Sequence, residues 1–408
     1  MFATLSRLQY LFAAAAIIAF SAALSVFAGW QIGDELEAFY IEQLDAHIET
    51  RADHERHLFD EAERYVTRSE TLFLQRLSAM DDDKVEAEFD RFFPLREDGT
   101  RRSVDALFDG LSLGSGDAVR GLAAFMGDGA DMDVDRKRQF LTAFHVVRSV
   151  GEAYQGRFDS LYFFNRDRQV VIFDPNRDDE LMFYRHDAPA DFDLRGDDDA
   201  RLFSSETNPD GRMLCSPLSR YLSDDVEGAG DRAMTSCRVP VHVDGELVGG
   251  FGTSIRMDGH FRHSMADTLP HGVNLVMDLH GDVLVRGRSR ASTDTNLPAD
   301  TLSMLLANRR GNEGVIAVPG HDLLMGYVFI TGPDWYFVSL VDTRHVSGHA
   351  TSIACLIFLM STLVGLIFLL APPVVRWIRE HGEHLAELDG PDRPHAPSAS
   401  RPVERPTR

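Results

Sequence analysis

The sequence predicts an α+β fold in which a long N-terminal helix and two antiparallel-sheet modules lie between two membrane-crossing helices. Three observations predict it. Two apolar runs stand apart from the rest of the chain, one near each end. A charged stretch with helical periodicity leads straight out of the first. Farther on, strand-like segments pair across turn signals twice over.

The first run has no charged residue from Leu8 to Gly33, and its middle reads YLFAAAAIIAFSAALSVFAGW. The second has none from Ala350 to Val375 and reads TSIACLIFLMSTLVGLIFLLAPPVV. A helix rises about 1.5 Å per residue, so roughly 20 apolar residues cross a hydrocarbon core of about 30 Å. Both runs reach that length, and nothing between them does. A cleaved signal peptide competes for the first run, because Val26-Phe27-Ala28 is a passable cleavage site behind the thin positive flank of Arg7. The run's length, and the helical pattern that continues past it, favour an uncleaved anchor. Arg7, Arg376 and Arg379 flank the outer ends of the runs, whereas Asp34, Glu35, Glu37 and Asp342 flank the inner ends. Basic flanks stay cytoplasmic, which places residues 1–7 and 376–408 inside and residues 34–345 outside.

The formal net charge of −23 sits essentially all in that outer part. It argues against nucleic acid and anionic lipid surfaces as partners, and it suits a cationic ligand or solubility alone. Cys215 and Cys237 both fall in the outer part and read as one disulfide in an oxidising space, with two buried free thiols as the alternative. Cys355 lies inside the second apolar run, and no CxxC or zinc-type spacing is present.

Residues 34–80 read as one helix. Leu36, Tyr40, Leu44, Ile48, Leu58, Ala62, Tyr65 and Leu72 recur near a period of 3.6, opposite a Glu/Arg/Asp-rich face. Residues 81–135 are less regular and read as an insertion or loop-rich segment. A helix follows over 136–154. FDSLYFFN and QVVIFD then pair around Arg166-Asp167. After an Asp-rich stretch, MTSCRVPVHV and ELVGGFGTSI flank Asp244-Gly245, a pair that tolerates positive φ and so signals a hairpin. The short helix MDGHFRHSMADTL closes a module over 136–267. A smaller module over 268–345 repeats the plan. NLVMDL and DVLVRG pair around His280-Gly281. A helix over 298–307 has Pro298 near its first turn, and GVIAVP, LLMGYVFIT and WYFVSLVD are three more strands. The membrane helix over 350–375 starts directly afterwards, and the Pro-rich end PDRPHAPSASRPVERPTR reads as disordered.

This order resembles the double Cache sensor regions of bacterial membrane histidine kinases, diguanylate cyclases and chemoreceptors, whose modules are PAS-like. The long helix leaving the first membrane span carries the resemblance. So does VPVHVDGELVGGFGTSIRMDG, which looks like the end of a membrane-distal module. GPDWYFVSLVD, just before the second span, looks like the last strand of a membrane-proximal one. The resemblance covers roughly residues 34–345. It implies a multi-pass protein of the bacterial inner membrane, with those residues periplasmic and a small molecule bound by the distal module. A homodimer along residues 34–80 fits both the resemblance and the apolar face. The sequence departs from amino-acid-binding relatives in two ways. Ser254 stands where they place an Asp, and their Arg-x-Trp-aromatic signature is absent from 136–175. The 33 residues from Arg376 to Arg408 leave no room for a kinase, cyclase or methyl-accepting domain, so output is expected through a separate cytoplasmic signalling protein. A ligand-binding or assembly subunit without output, or a sensor kinase or cyclase truncated before its catalytic domain, are the alternative readings.

No catalytic signature is found: neither GxSxG, HExxH, a phosphate loop nor a dinucleotide fingerprint. No enzymatic activity and no cofactor are therefore expected. Asp174, Asn176 and Asp178 have the spacing of a calcium loop, but Asp179 replaces the glycine of the sharp turn and Arg185 the closing carboxylate. His54, His57 and Glu61 share one helix face, and His260 and His263 another. Two ligands on one helix hold zinc weakly without a third, so solvated histidines are the expectation. In a PAS-like module the pocket lies between the curved sheet and the loops beside it. The candidates there are Tyr162 and Phe164 on the first strand, Asp174 ending the second, and Tyr184, Arg185 and His186 in the following loop. Aromatic walls with a few placed charges suit a small-molecule site, and Arg185 suits a carboxylate or phosphate ligand.

Overall fold

The computed structural model describes residues 7–80, 82–114, 117–130, 132–193, 201–204, 206–220, 233–287, 301–318 and 320–388. Most of the N-terminal 1–7 segment, Pro298 and the Pro-rich end lie outside the described residues. The chain forms two compact units, one of residues 40–343 and one of residues 1–39 with 344–408.

Helix α1 (Arg7–Leu77) takes in the first apolar run and the charged stretch as one element; no proline breaks its hydrogen-bond ladder. Helix α2 (Asp82–Phe92) is followed by β1 (Arg101–Arg102), α3 (Ala106–Asp109), β2 (Leu111–Gly114), β3 (Asp117–Val119) and β4 (Leu122–Met126). Helix α4 (Val134–Ala153) starts where the Asp133 carboxylate accepts from the Arg136 N–H at 2.8 Å, satisfying a backbone donor that the first turn leaves unpaired. Next come β5 (Leu161–Phe164), β6 (Gln169–Phe173) and α5 (Asp178–Met182), which runs on into a π-helical turn (Phe183–Asp187). Strands β7 (Leu214–Cys215), β8 (Ser219–Arg220), β9 (Ala233–Val243) and β10 (Glu246–Arg256) complete the larger sheet. Its order is β1-β4-β6-β5-β10-β9-β7, with β8 also on β9. As the Asp-Gly signal predicts, Asp244 and Gly245 turn β9 into β10 with φ of 52° and 84°.

Residues 81–135 differ from the sequence expectation. They are not an insertion beside the module: β1 and β4 extend its sheet beyond β6, and Phe89, Phe92 and Phe93 are buried against α4. The irregular composition misled because each strand here is short, and short strands leave little periodicity to read.

Helix α6 (Asp258–Ala266) leads to the smaller sheet. Its elements are β11 (Gly272–Met277), β12 (Val283–Arg286), α7 (Thr301–Asn308), β13 (Glu313–Ala317), β14 (Leu323–Ile330) and β15 (Trp335–Asp342), in the order β12-β11-β15-β14-β13. Helix α1 packs on both sheets. Leu44 and Ile48 lie on β14 at Gly326, where any side chain would collide with Ile48. Higher up, Phe73 stacks on Phe163 of β5 at 5.7 Å and meets Phe251 of β10 at 5.9 Å. Of the apolar face that suggested a dimer seam, Leu44, Ile48, Ala62 and Tyr65 are buried within the chain.

Between those two contacts, the buried face of α1 is charged. Glu55 is 0% exposed and Arg51 3%. The Arg51 guanidinium pairs with Glu55, reaches Asp267 at 3.3 Å and lies over the Phe337 ring at 5.2 Å. Glu55 also takes a hydrogen bond from Ser264 at 3.0 Å and sits 2.8 Å from His260 Nε2. Burial alone would raise the pKa of Glu55; His260 and Arg51 outweigh it and hold the carboxyl below its ordinary value. Of the histidines expected to be solvated, His54, His57 and His263 are exposed and only His260 is largely enclosed; His54 stacks on His260 at 6.0 Å and lies 5.0 Å from His263.

In the other unit, α8 (Arg344–Leu388) carries the second apolar run. The unit thus has two helices long and apolar enough to cross a membrane. Ser21, Ser25, Gly29 and Gly33 recur every four residues on α1. Ser21 and Ser25 are buried, Gly29 lies against Ala354, and Gly33 against Ala350. Small residues at that spacing let two helix backbones approach closely, which is how helices associate where no hydrophobic gain is available.

Candidate functional site

The larger sheet has two covered faces, and alternation decides which residue goes where. Leu161 and Phe163 of β5 join the core under α1 and α4, while Tyr162 and Phe164 point to the other face. Phe125, Val170, Ile172, Leu181, Tyr184 and Leu202 share that second face, beneath α5 and the π-helical turn. Three of the sequence-predicted residues, Tyr162, Phe164 and Tyr184, therefore meet in one aromatic cluster.

Cross-strand register shapes the cluster further. Tyr162 on β5 faces Gly252 on β10, which faces Arg238 on β9. Gly252 has no side chain, so the Tyr162 ring lies over it; a Cβ there would collide with the ring. The Tyr162 hydroxyl then accepts from Arg238 Nε at 2.8 Å, and the guanidinium covers Phe164 at 5.4 Å. Sequence reading missed Arg238. Its signal was available, because the long hairpin around Asp244-Gly245 sets the register that brings Arg238 opposite Gly252.

Asp174 follows β6 and is 3% exposed. Its neighbour Glu180, on α5, is also largely enclosed and pairs with Arg177 at 3.3 Å. Burial, then the Glu180 charge, push the Asp174 pKa up to about 7, against the weaker pull of a hydrogen bond from the Asn176 N–H and of Arg177. Burial likewise raises Glu180. Glu180 in turn is close enough to help raise Tyr184, whose hydroxyl is shifted chiefly by burial. Two under-compensated acids thus adjoin the aromatic cluster. The sequence pattern pointed to Asp174 but not to Glu180.

Arg185 and His186 are placed differently. The Arg185 guanidinium is buried, bonded to Asp178 at 2.6 Å and Asp105 at 3.2 Å, and lies over Phe108 at 4.5 Å. The carboxylates expected from a ligand are supplied by the chain itself. His186 lies at the surface, 2.8 Å from the same Asp105. Together the two residues clasp α3 to the π-helical turn. Cys215 and Cys237, directly opposed on β7 and β9, form the expected disulfide. Among the described residues, no group of three or more His, Cys, Asp or Glu is arranged to hold a metal ion.

The raised Asp174 fixes the sign of a pH effect. An unfolded Asp loses its proton near pH 4, whereas here the proton is held to about pH 7. Between those values the unfolded chain binds fewer protons, so stability falls as pH rises and levels off above 7. Asp174→Asn is expected to be more stable than the parent at pH 8 by about 4 kcal/mol, with the gap closing towards pH 4. Melting curves of both proteins across that range test it; equal stability at pH 8 would show that the charge is compensated.

No family model matches the chain, and no curated protein does. Several solved structures resemble it. The sensory domain of the Campylobacter jejuni chemoreceptor Tlp3 is 10% identical, with 72% of this chain and 98% of that one covered at a TM-score of 0.34. The ligand-binding domain of the Pseudomonas fluorescens chemoreceptor CtaA, in complex with L-isoleucine, is 16% identical over 51% and 78%, at 0.30. That of the Pseudomonas aeruginosa amino acid chemoreceptor PctC, in complex with GABA, is 14% identical over 50% and 80%, at 0.30. All three are ligand-binding or sensory domains of bacterial chemoreceptors.

Proposed function

We propose that the chain is a membrane-bound extracytoplasmic sensor whose larger module binds a small molecule bearing a positive charge. The observation that supports this most is the pairing of Asp174 with Glu180 beside Tyr162, Phe164 and Tyr184. A buried and a largely enclosed carboxyl, both held above their ordinary pKa, are poorly compensated, and an ammonium group between them would repay their desolvation. The aromatic rings would take its apolar part, with Arg238 ordering Tyr162 and the Arg185 clasp holding the turn that carries Tyr184.

Transmission completes the proposal. Helix α1 is one element from the apolar run to Phe73, which packs on the ligand-face sheet, and α8 begins two residues after β15 ends. A ligand that favours one sheet packing over another would act on both helices and pass the change to a separate cytoplasmic protein.

The test uses full-length protein in detergent and a panel of small amines (choline, ethanolamine, putrescine) with neutral alcohols of matched size. At least one amine is expected to raise Tm, more strongly at pH 8 than at pH 6 because Asp174 is then ionised. Asp174→Asn and Tyr162→Ala are expected to remove the shift. A shift that survives Asp174→Asn, or a panel that moves nothing, overturns the assignment.

A further inference from the structure

A cavity of about 130 Å3 lies where the two sheets of residues 40–343 meet. Three segments close it: β7 with the residues after it, the β11–β12 turn, and the β14–β15 turn. These segments are tied together. Cys215 N–H donates to Gly332 O at 3.0 Å. Arg212 makes two hydrogen bonds to Asp334, at 3.2 and 3.1 Å. Gly332, at φ 99°, lets the turn come within contact of Met213 and Cys215. The cavity is therefore built into a fastened junction.

Its walls are mainly apolar: Leu214 and Leu218 from the larger sheet, Leu279, Leu284 and Trp335 from the smaller. The charged groups at its edge divide unequally. Asp334 is neutralised by Arg212, and Asp278 accepts from the N–H groups of His280 and Asp282 at 2.8 and 2.9 Å. Arg201, which also lines the cavity, makes no ion pair with any described residue. A guanidinium that no described carboxylate pairs, at the edge of an apolar pocket, is suited to a carboxylate on a short hydrocarbon body, held by two parallel N–H···O bonds.

We propose that this junction is a second ligand site, and that it takes a small organic monocarboxylate paired to Arg201. The chain's net charge of −23 opposes any anion at long range. Screening limits that opposition to about 8 Å at physiological salt, so the local guanidinium decides. A molecule bound here touches both sheets and therefore favours the packing in which the junction is closed.

Trp335 reports on the site directly. The other two tryptophans, Trp30 and Trp377, lie in the apolar helices. In full-length Trp30→Phe/Trp377→Phe protein, butyrate, isovalerate and cyclohexanecarboxylate are titrated against Trp335 emission, with the matching amines alongside. At least one carboxylate is expected to give a saturable change with a midpoint of about 1 mM or lower, and no amine is. Arg201→Gln is expected to raise that midpoint about tenfold, the loss of roughly 1.4 kcal/mol. Leu284→Phe, which fills the cavity and leaves Arg201 in place, is expected to abolish the change. No saturable response to any of the three acids, an equal response to an amine, or an unchanged midpoint in Arg201→Gln overturns the proposal.

Discussion

Glu55→Ala is expected to destabilise the protein by about 3–5 kcal/mol, the cost of removing one partner from a buried ion pair. Arg51 would keep its charge beneath the Phe337 ring with only Asp267, itself more than half exposed, at 3.3 Å. His260 and the Ser264 hydroxyl would lose their common partner as well. Glu55→Gln separates charge from hydrogen bonding: it can still bond Ser264 but cannot neutralise Arg51, and is expected to fall between Ala and the parent. Removing both charges, in Arg51→Met/Glu55→Leu, is expected to recover most of the loss, since a buried pair is often replaceable by apolar groups of similar volume. Denaturant unfolding of the four proteins measures this. A Glu55→Ala loss below about 1 kcal/mol, the level of an exposed pair, would show that water reaches the cluster. The cluster lies where α1, α6 and the smaller sheet meet.

The second large effect concerns the disulfide. Cys215 and Cys237 are 22 positions apart, and closing a loop of that size stabilises by about 3 kcal/mol in the chain-entropy account. Cys215→Ser/Cys237→Ser is expected to lose about that amount. Reductant is expected to lower the Tm of the parent to that of the variant, without moving the variant itself. A parent insensitive to reductant after full unfolding would mean that the bond is absent in solution, and unreduced mass spectrometry would then find two free thiols. The loss should be felt beyond the larger sheet, because the Cys215 N–H also holds the β14–β15 turn.

Particular residues show how much was legible beforehand. The Asp244-Gly245 pair announced its hairpin because few residues accept positive φ at two successive positions. The strands around His280-Gly281 and those ending in WYFVSLVD were equally plain. Both apolar runs were unmistakable by length alone. Reading failed where the pattern is local but the partner is distant. Strand β4 forms on the edge that β6 offers, and β1 on the edge that β4 offers in turn. On α1 the apolar stripe was followed through Leu58, yet the buried face between Ile48 and Ala62 contains Arg51 and Glu55, which no hydrophobic pattern selects. Arg185 looked like a ligand cation because its partners, Asp105 and Asp178, reach it only in three dimensions. The small-residue series from Ser21 to Gly33 was present in the sequence, and what it packs against was not.

By itself, then, the sequence determined the α+β class, the two membrane-length helices, the Asp244-Gly245 hairpin and the cysteine pair. Each follows from composition or spacing within one segment, where local backbone preference and hydrophobic periodicity act. Only the tertiary structure decided which face of each strand carries the aromatic cluster, which charges are already satisfied, and which have no partner among the described residues. Gly252 opposite Arg238, Glu180 beside Asp174, and Arg201 over the junction cavity are products of register and packing. A charge's meaning depends on what surrounds it, and those surroundings come from residues tens to hundreds of positions away.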